Sequence, residues 1–373
     1  MDMFDYIKWR GDLSFKSSPA NEIDGAIFSM ASYVEYDMAL GDGELDNPAS
    51  FKYAIDSYFS LDDKREIKVG LIFPTDKAVR MLEQIENTER FSSVKISDYV
   101  NNISEEECYQ FSAVTFHLDD GSVMIAFRGT DDTIIGWKED FHITFMQEIP
   151  SQRMAVEYLN EISRKYPDGK IYICGHSKGG NLAIYSAVMC DESIKDRIVR
   201  VFSYDGPGQS GEMIMSEKYS KMASRIDSFV PQASMIGTMF NSGKFKVVNS
   251  TYKGAYQHDL YSWTLDGPKY LKLSSLSPRG IKNQVGFNGM MSKMTDFEKQ
   301  KFVEIFFDAI YKTGAKTLSD ISAAKLKSLA IMIKSLGGIN KEQKEVMLSI
   351  VLKMLDIRKD QDVDKQIQEN QDE

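Results

Sequence analysis

From about residue 150 the apolar pattern alternates between helical and strand periods, and this alternation narrows what the chain can fold into more than any other feature. Residues 151–166 (SQRMAVEYLNEISRKY) form an amphipathic helical pattern, 170–174 (KIYIC) a short buried strand, and 181–190 (NLAIYSAVMC) a second helix. A strand at 197–204, a helix at 211–223, and strands at 224–230 and 244–250 follow. Strands separated by helices pair in parallel, so the expected fold is α/β: a mostly parallel central sheet with helices on both faces.

Upstream the pattern differs. Residues 110–118 and 122–127 are β-rich and flank the turn Asp119-Asp120-Gly121, a hairpin signal. Residues 21–35 read as a helix with Asn21 near its N-cap, and a helical stretch is expected at 76–88. Beyond Pro278 three amphipathic helices are expected, at 295–313, 322–336 and 341–357, with a break at Gly337-Gly338. The expected division is therefore an α/β domain over 1–280, a helical extension over 281–358 and a polar, disordered tail over 359–373. The extension would serve as a cap or as a surface for a protein partner.

Composition sets limits on partners. With 42% apolar residues there is ample material for a core. The net charge of −10 and the lack of a Lys/Arg run argue against nucleic acid and against an anionic membrane surface. The first residues, MDMFDYIKWRGDLSF, lack a signal peptide's apolar core, and no apolar run approaches the length of a membrane span. Cys108, Cys174 and Cys190 show neither metal nor redox spacing. These features together give the expectation of a cytoplasmic protein without a transmembrane segment.

The chemistry centres on Gly175-His176-Ser177-Lys178-Gly179, a G-x-S-x-G motif lying directly between a strand and a helix. A serine at such a turn sits in a strained backbone conformation with Oγ raised above the sheet, and the flanking positions leave no room for side chains. The Lys178 amide then opens the following helix and can donate to an oxyanion.

The elbow GHSKGGNLA, the upstream FRGTDDTIIGWKEDF and the downstream FSYDGPG resemble the Mbeg1-like (DUF2974) family, which is related to the class 3 lipases. The resemblance covers about residues 15–265 and implies an α/β-hydrolase fold. It also implies that Thr130, after the glycine of Phe127-Arg128-Gly129-Thr130, gives its amide and its hydroxyl to the oxyanion hole beside the Lys178 amide. Arg128 reads as structural, paired to an acid such as Asp140.

Of four histidines, only His258 follows the nucleophile, as the chain order Ser…Asp…His requires, and it sits in a loop after the strand at 244–250. His176 lies inside the elbow, where its side chain points away from that of Ser177. The acid stays open between Asp205, after the strand at 197–204, and Asp227, with Asp259 a third option. The class 3 lipase pattern D-x-V-P, laid on Val230-Pro231, puts Ser228 at the acid's place and leaves Asp227 one residue off, facing the other side of a strand. Pancreatic-type lipases carry the acid in a context similar to DGPG, which favours Asp205.

The same turn, Gly206-Pro207-Gly208-Gln209-Ser210-Gly211, formally matches G-x-G-x-x-G. A carboxylate at Asp205 would repel a pyrophosphate there, and too little strand-forming sequence follows to complete a dinucleotide fold. With no P-loop and no Cys/His cluster, the expectation is an enzyme without cofactor or metal. It would cleave a carboxylic ester through an acyl-enzyme on Ser177, with an acyltransferase, a thioesterase or an inert binding fold as alternatives. Met213, Met215, Met222, Met235 and Met239 flank the expected site, and residues 230–240 resemble a mobile apolar lid. Such methionines suit acyl chains of a small-molecule ester or lipid, but equally serve as core.

Overall fold

The computed structural model describes residues 1–41, 45–61, 75–131, 133–240, 243–317, 320–321 and 331–332. The helices expected at 322–336 and 341–357 and the tail at 359–373 thus lie almost wholly outside the described residues. The amino-terminal third contains α1 (Met3–Arg10), α2 (Glu22–Ala31), α3 (Tyr36–Leu40), β1 (Ala49–Ser50), α4 (Phe51–Phe59), α5 (Thr75–Ile85) and α6 (Glu89–Ser92). There follow β2 (Lys95–Ser104), β3 (Tyr109–His117), β4 (Val123–Phe127), α7 (Ile134–His142), α8 (Pro150–Lys165), β5 (Ile171–His176) and α9 (Lys178–Met189). Next come α10 (Glu192–Lys195), β6 (Ile198–Tyr204), α11 (Gly211–Met215), α12 (Glu217–Met222), β7 (Ile226–Pro231) and β8 (Lys246–Val248). The last described elements are β9 (Leu265–Asp266), β10 (Lys269–Tyr270), β11 (Lys272–Leu273), α13 (Pro278–Met291) and α14 (Asp296–Tyr311).

Nine strands make one sheet in the order β1-β2-β3-β4-β5-β6-β7-β8-β11. Strands β4 to β8 run parallel, while β1 to β4 and the β8–β11 pair are antiparallel. The fold is thus the expected α/β type, a mostly parallel sheet covered by helices. Because side chains alternate along a strand, β5 feeds both faces. Tyr172 and Cys174 join the core under α1, α2 and α5, and Ile171 and Ile173 join the core under α8 and α9.

Asn21 caps α2 as expected, accepting from the amides of Ile23 and Asp24, with Asp24 completing a capping box. The helical pattern at 211–223 is broken in two. Ser216 takes an extended backbone, and its hydroxyl accepts from the Tyr219 amide to start α12 afresh. Strand β2 is absent from the sequence reading because Asp98, Asn101 and Asn102 interrupt its apolar alternation and a bulge falls between Ser97 and Val100.

Helix α14 buries Phe302, Val303, Phe306, Phe307 and Ile310 in a core shared with Ile134 and Phe141 of α7 and Met290 and Met291 of α13. A bridge between Thr133 and Thr317 ties the same region together. Among the described residues no helix is long and apolar enough to cross a membrane.

The N-terminal helices are pinned by one buried ion pair. Arg90 donates to both oxygens of Asp24, at 2.8 and 2.6 Å, and to the carbonyls of Leu13 and Ser18, while Tyr6 donates to Asp24 at 3.0 Å. Both charged side chains are wholly buried. Removing one partner strands the other charge, so Asp24→Ala is expected to cost about 3–5 kcal/mol. Urea unfolding measures this, and a loss below about 1 kcal/mol would show that the pair does not hold these helices.

Candidate active site

The G-x-S-x-G segment forms the sharp turn between β5 and α9. Ser177 has φ 56° and ψ −130°, a left-handed conformation of the kind that costs on the order of 1–3 kcal/mol and persists only where surrounding contacts enforce it. Here packing enforces it. A Cβ at Gly175 would meet the Gly179 carbonyl at 2.1 Å, and one at Gly179 would meet the Phe127 carbonyl at 2.1 Å. The Ser177 amide donates to the Tyr204 carbonyl at 2.9 Å, which locks the turn onto the end of β6. Between 171 and 188 Ser177 alone is not fully buried.

The carboxyl ends of the parallel strands bring the remaining groups to the same edge of the sheet, where open α/β sheets place their ligands. Asp205 follows β6 directly and, like Ser177, has a positive φ (46°). His258 ends a short 3₁₀ turn, Gly254–His258, reached from the end of β8. His258 Nδ1 lies 2.7 Å from Asp205 Oδ2, with side-chain exposures of 6% and 1%. Since a carboxylate only accepts, Nδ1 carries a proton in this bond. The other Asp205 oxygen accepts from the Ser234 hydroxyl at 2.5 Å and the Gly237 amide at 3.1 Å. These two donors come from the segment expected as a mobile lid. It is instead bonded to the acid. Of the methionines read beside the site, Met213 and Met222 belong to the core beneath α9, while Met215 is exposed.

Asp227 lies elsewhere. It is the second residue of β7, at the opposite end from the strand termini that carry Ser177 and Asp205, and pairs with Phe202 across the sheet. Lys246 reaches it at 2.5 Å and Arg200 at 4.0 Å. Asp259 is also engaged away from the His258 ring, by Lys77 at 3.3 Å and the Tyr261 amide at 2.9 Å.

The oxyanion candidates sit on either side of Ser177. Lys178 is the first residue of α9, so its amide is among those left without an intrahelical acceptor. The end of β4 abuts the elbow: a Cβ at Gly129 would meet the His176 carbonyl at 2.6 Å and the Ser177 Cβ at 3.0 Å. Thr130 comes next, but its hydroxyl donates to Asp140 Oδ2 at 2.6 Å. That corrects the expectation of a free hydroxyl for the hole, since one O–H has one proton to give. Arg128 does not pair with Asp140 either. It donates to Asn101 at 2.9 Å and faces Asp131 at 3.5 Å.

The sequence reading missed what the Lys178 side chain does. Its Nζ is buried, 2.9 Å from Glu139 and 2.8 Å from the Gln110 carbonyl, and Glu139 also accepts from the Gln110 and Ser151 amides and the Ser151 hydroxyl. A lysine in a turn otherwise built from glycine and buried residues was the available signal, because a buried ammonium requires an acid. The formal G-x-G-x-x-G turn is occupied by protein: Asn181 donates to the carbonyls of Pro207 and Gly208. A Cβ at Gly206 would come within 2.9 Å of the Ser177 carbonyl, so this glycine serves the elbow.

A mixed sheet whose parallel strands end at a strained serine and a hydrogen-bonded Asp–His pair has the architecture of the α/β-hydrolase fold. The chain belongs to the Mbeg1-like family, whose family model matches residues 85–308. No curated protein matches it. Similar solved structures include a Rhizomucor miehei lipase propeptide complex, at 13% identity and TM-score 0.39, covering 74% of this chain and 78% of that one. They also include the MDLA protein of Penicillium cyclopium (11%, TM-score 0.41, 66% and 82%) and M37 lipase (14%, TM-score 0.39, 74% and 94%). Likeness at this level carries nothing about activity.

Burial raises the Asp140 carboxyl from the ordinary 3.8 to about 7, against the pull of Lys178 at 4.0 Å and the Thr130 hydrogen bond. The folded state therefore holds this proton more tightly than the unfolded chain does. The stabilisation is complete below pH 3.8 and is lost as pH rises through about 7. Asp140→Asn, which keeps an acceptor for Thr130, is expected to be more stable than the parent at pH 8, with the gap narrowing toward acid pH. Thermal unfolding across pH checks this, and a gap independent of pH would contradict it.

Proposed function

We propose that the protein is a serine ester hydrolase that works through an acyl-enzyme on Ser177. The Asp205–His258 hydrogen bond, at the sheet edge that also carries Ser177, supports this reading most directly. The bond commits Nδ1 to donating to Asp205, so that Nε2 is the ring nitrogen available to act as general base.

In the proposed reaction His258 Nε2 takes the hydroxyl proton as Ser177 Oγ attacks the ester carbonyl. The Lys178 and Thr130 amides receive the oxyanion, and one such donor is typically worth about 2.7–4 kcal/mol at the transition state. Asp205 stabilises the imidazolium and holds its tautomer. The imidazolium then protonates the leaving alkoxide, and a water activated by His258 releases the acid. The substrate class we assign is a carboxylic ester. A panel of esters of graded chain length defines the preference, and release to an added alcohol would instead mark an acyltransferase.

Ser177→Ala is expected to abolish hydrolysis across the panel. Asp205→Asn should lower turnover by about 10⁴-fold, as expected when a triad histidine loses its tautomer, while Asp227→Asn leaves it unchanged. Equal losses from both aspartate variants, or full activity in Ser177→Ala, would overturn the proposal.

A further inference from the structure

Behind the Asp205–His258 pair lies a second histidine that the reaction above does not use. His176 is wholly buried in the elbow, with its ring centroid 4.3 Å from that of His258. Its Nε2 is 3.1 Å from the His258 backbone carbonyl, and its Nδ1 is 3.0 Å from the hydroxyl of Tyr33, just beyond the end of α2. A carbonyl can only accept, so Nε2 must carry a proton. Burial and the neighbouring His258 press His176 toward the neutral form, which leaves Nδ1 bare. Tyr33 must then be the donor. The hydrogen bonds run one way: Tyr33 O–H to His176 Nδ1, and His176 Nε2–H to the His258 carbonyl.

The placement of Tyr33 is itself constrained. Its hydroxyl lies against Gly129, where any Cβ would come within 2.2 Å of it. One phenol oxygen therefore touches both the strand end that leads to Thr130 and the imidazole inside the elbow. The consequence for His258 is twofold. Its main chain is held by His176 and its ring by Asp205, so the imidazole is fixed from two sides. A proton on His176 would place two imidazolium rings side by side during catalysis, and a neutral His176 with a committed tautomer avoids that repulsion.

Resting on the acyl-enzyme reading, we infer that Tyr33 and His176 are positioning residues for the base: Tyr33 locks the tautomer of His176, and His176 in turn fixes the main chain of His258. Tyr33 lies outside the segment matched by the family model and in none of the three sequence motifs.

The test has two arms on the full-length protein. In the first, ¹⁵N spectra of the imidazoles should show wild-type His176 as the neutral Nε2–H tautomer between about pH 5 and 8, the window in which an ordinary histidine titrates. Tyr33→Phe should remove the hydrogen bond to Nδ1 and shift the Nδ1 resonance toward that of an unbonded imidazole nitrogen, while Nε2 still donates to the His258 carbonyl. An Nδ1–H tautomer, or an imidazolium at His176 in the wild type, overturns the lock without relying on any variant. In the second, Tyr33→Phe should be labelled by a fluorophosphonate about tenfold more slowly than wild type, as the loss of one neutral hydrogen bond predicts. Its circular dichroism should be unchanged. Labelling at the wild-type rate with an altered His176 spectrum overturns the positioning role. If the wild type itself is not labelled, the acyl-enzyme reading fails, and the spectra alone decide the tautomer lock.

Discussion

The tight packing around Ser177 is the constraint to which the rest of the structure answers. A left-handed residue at the end of β5 is uphill for any side chain, and here it is held by contacts leaving no alternative: Gly175 against the Gly179 carbonyl, Gly179 against that of Phe127. These contacts join β4, β5 and α9 into one rigid corner. Hydrogen bonding extends it to β6 through the Tyr204 carbonyl, and from there Asp205 projects directly. The strain at Ser177 is thus compensated by the sheet as a whole, as expected of conformations stored at functional sites.

A buried polar layer surrounds this corner. Lys178 and Glu139 exchange a charge-assisted bond out of contact with water, and Glu139 has further donors in Gln110 and Ser151. Such a pair contributes little net stability, since desolvation offsets most of the attraction, but it fixes geometry once formed. Here it ties α7 to the first turn of α9. The next residue of α7, Asp140, holds the Thr130 hydroxyl. Two consecutive acids therefore reach the two residues whose amides are proposed to receive the oxyanion.

Much of this was legible in the sequence because it is local. The alternation beyond residue 150 and the strand–turn–helix around Ser177 follow from periodicity and from glycine placement, which act over a few residues. The acid was not legible in the same way. Asp205 follows β6 and Asp227 lies within β7, and what separates them is which end of the sheet each occupies. The register of β6 against β7 sets that, together with the Lys246 side chain on the neighbouring strand. The Thr130 hydroxyl and the Lys178 side chain were opaque for a related reason. Their partners, Asp140 and Glu139, lie 10 and 39 residues away on a helix whose orientation only the fold supplies. The misread lid belongs here too: an apolar loop rich in Met looks mobile until Ser234 and Gly237 are seen to bind Asp205.

The central claim is that Ser177 is an activated nucleophile with two amides aimed at the oxygen of its adduct. The structure of the protein after reaction with a phosphonate inhibitor tests it most directly. The account requires phosphorus bonded to Ser177 Oγ, its phosphoryl oxygen between the Lys178 and Thr130 amides, and His258 Nε2 beside the leaving-group position. An unmodified Ser177, or an adduct whose phosphoryl oxygen points away from both amides, would contradict it.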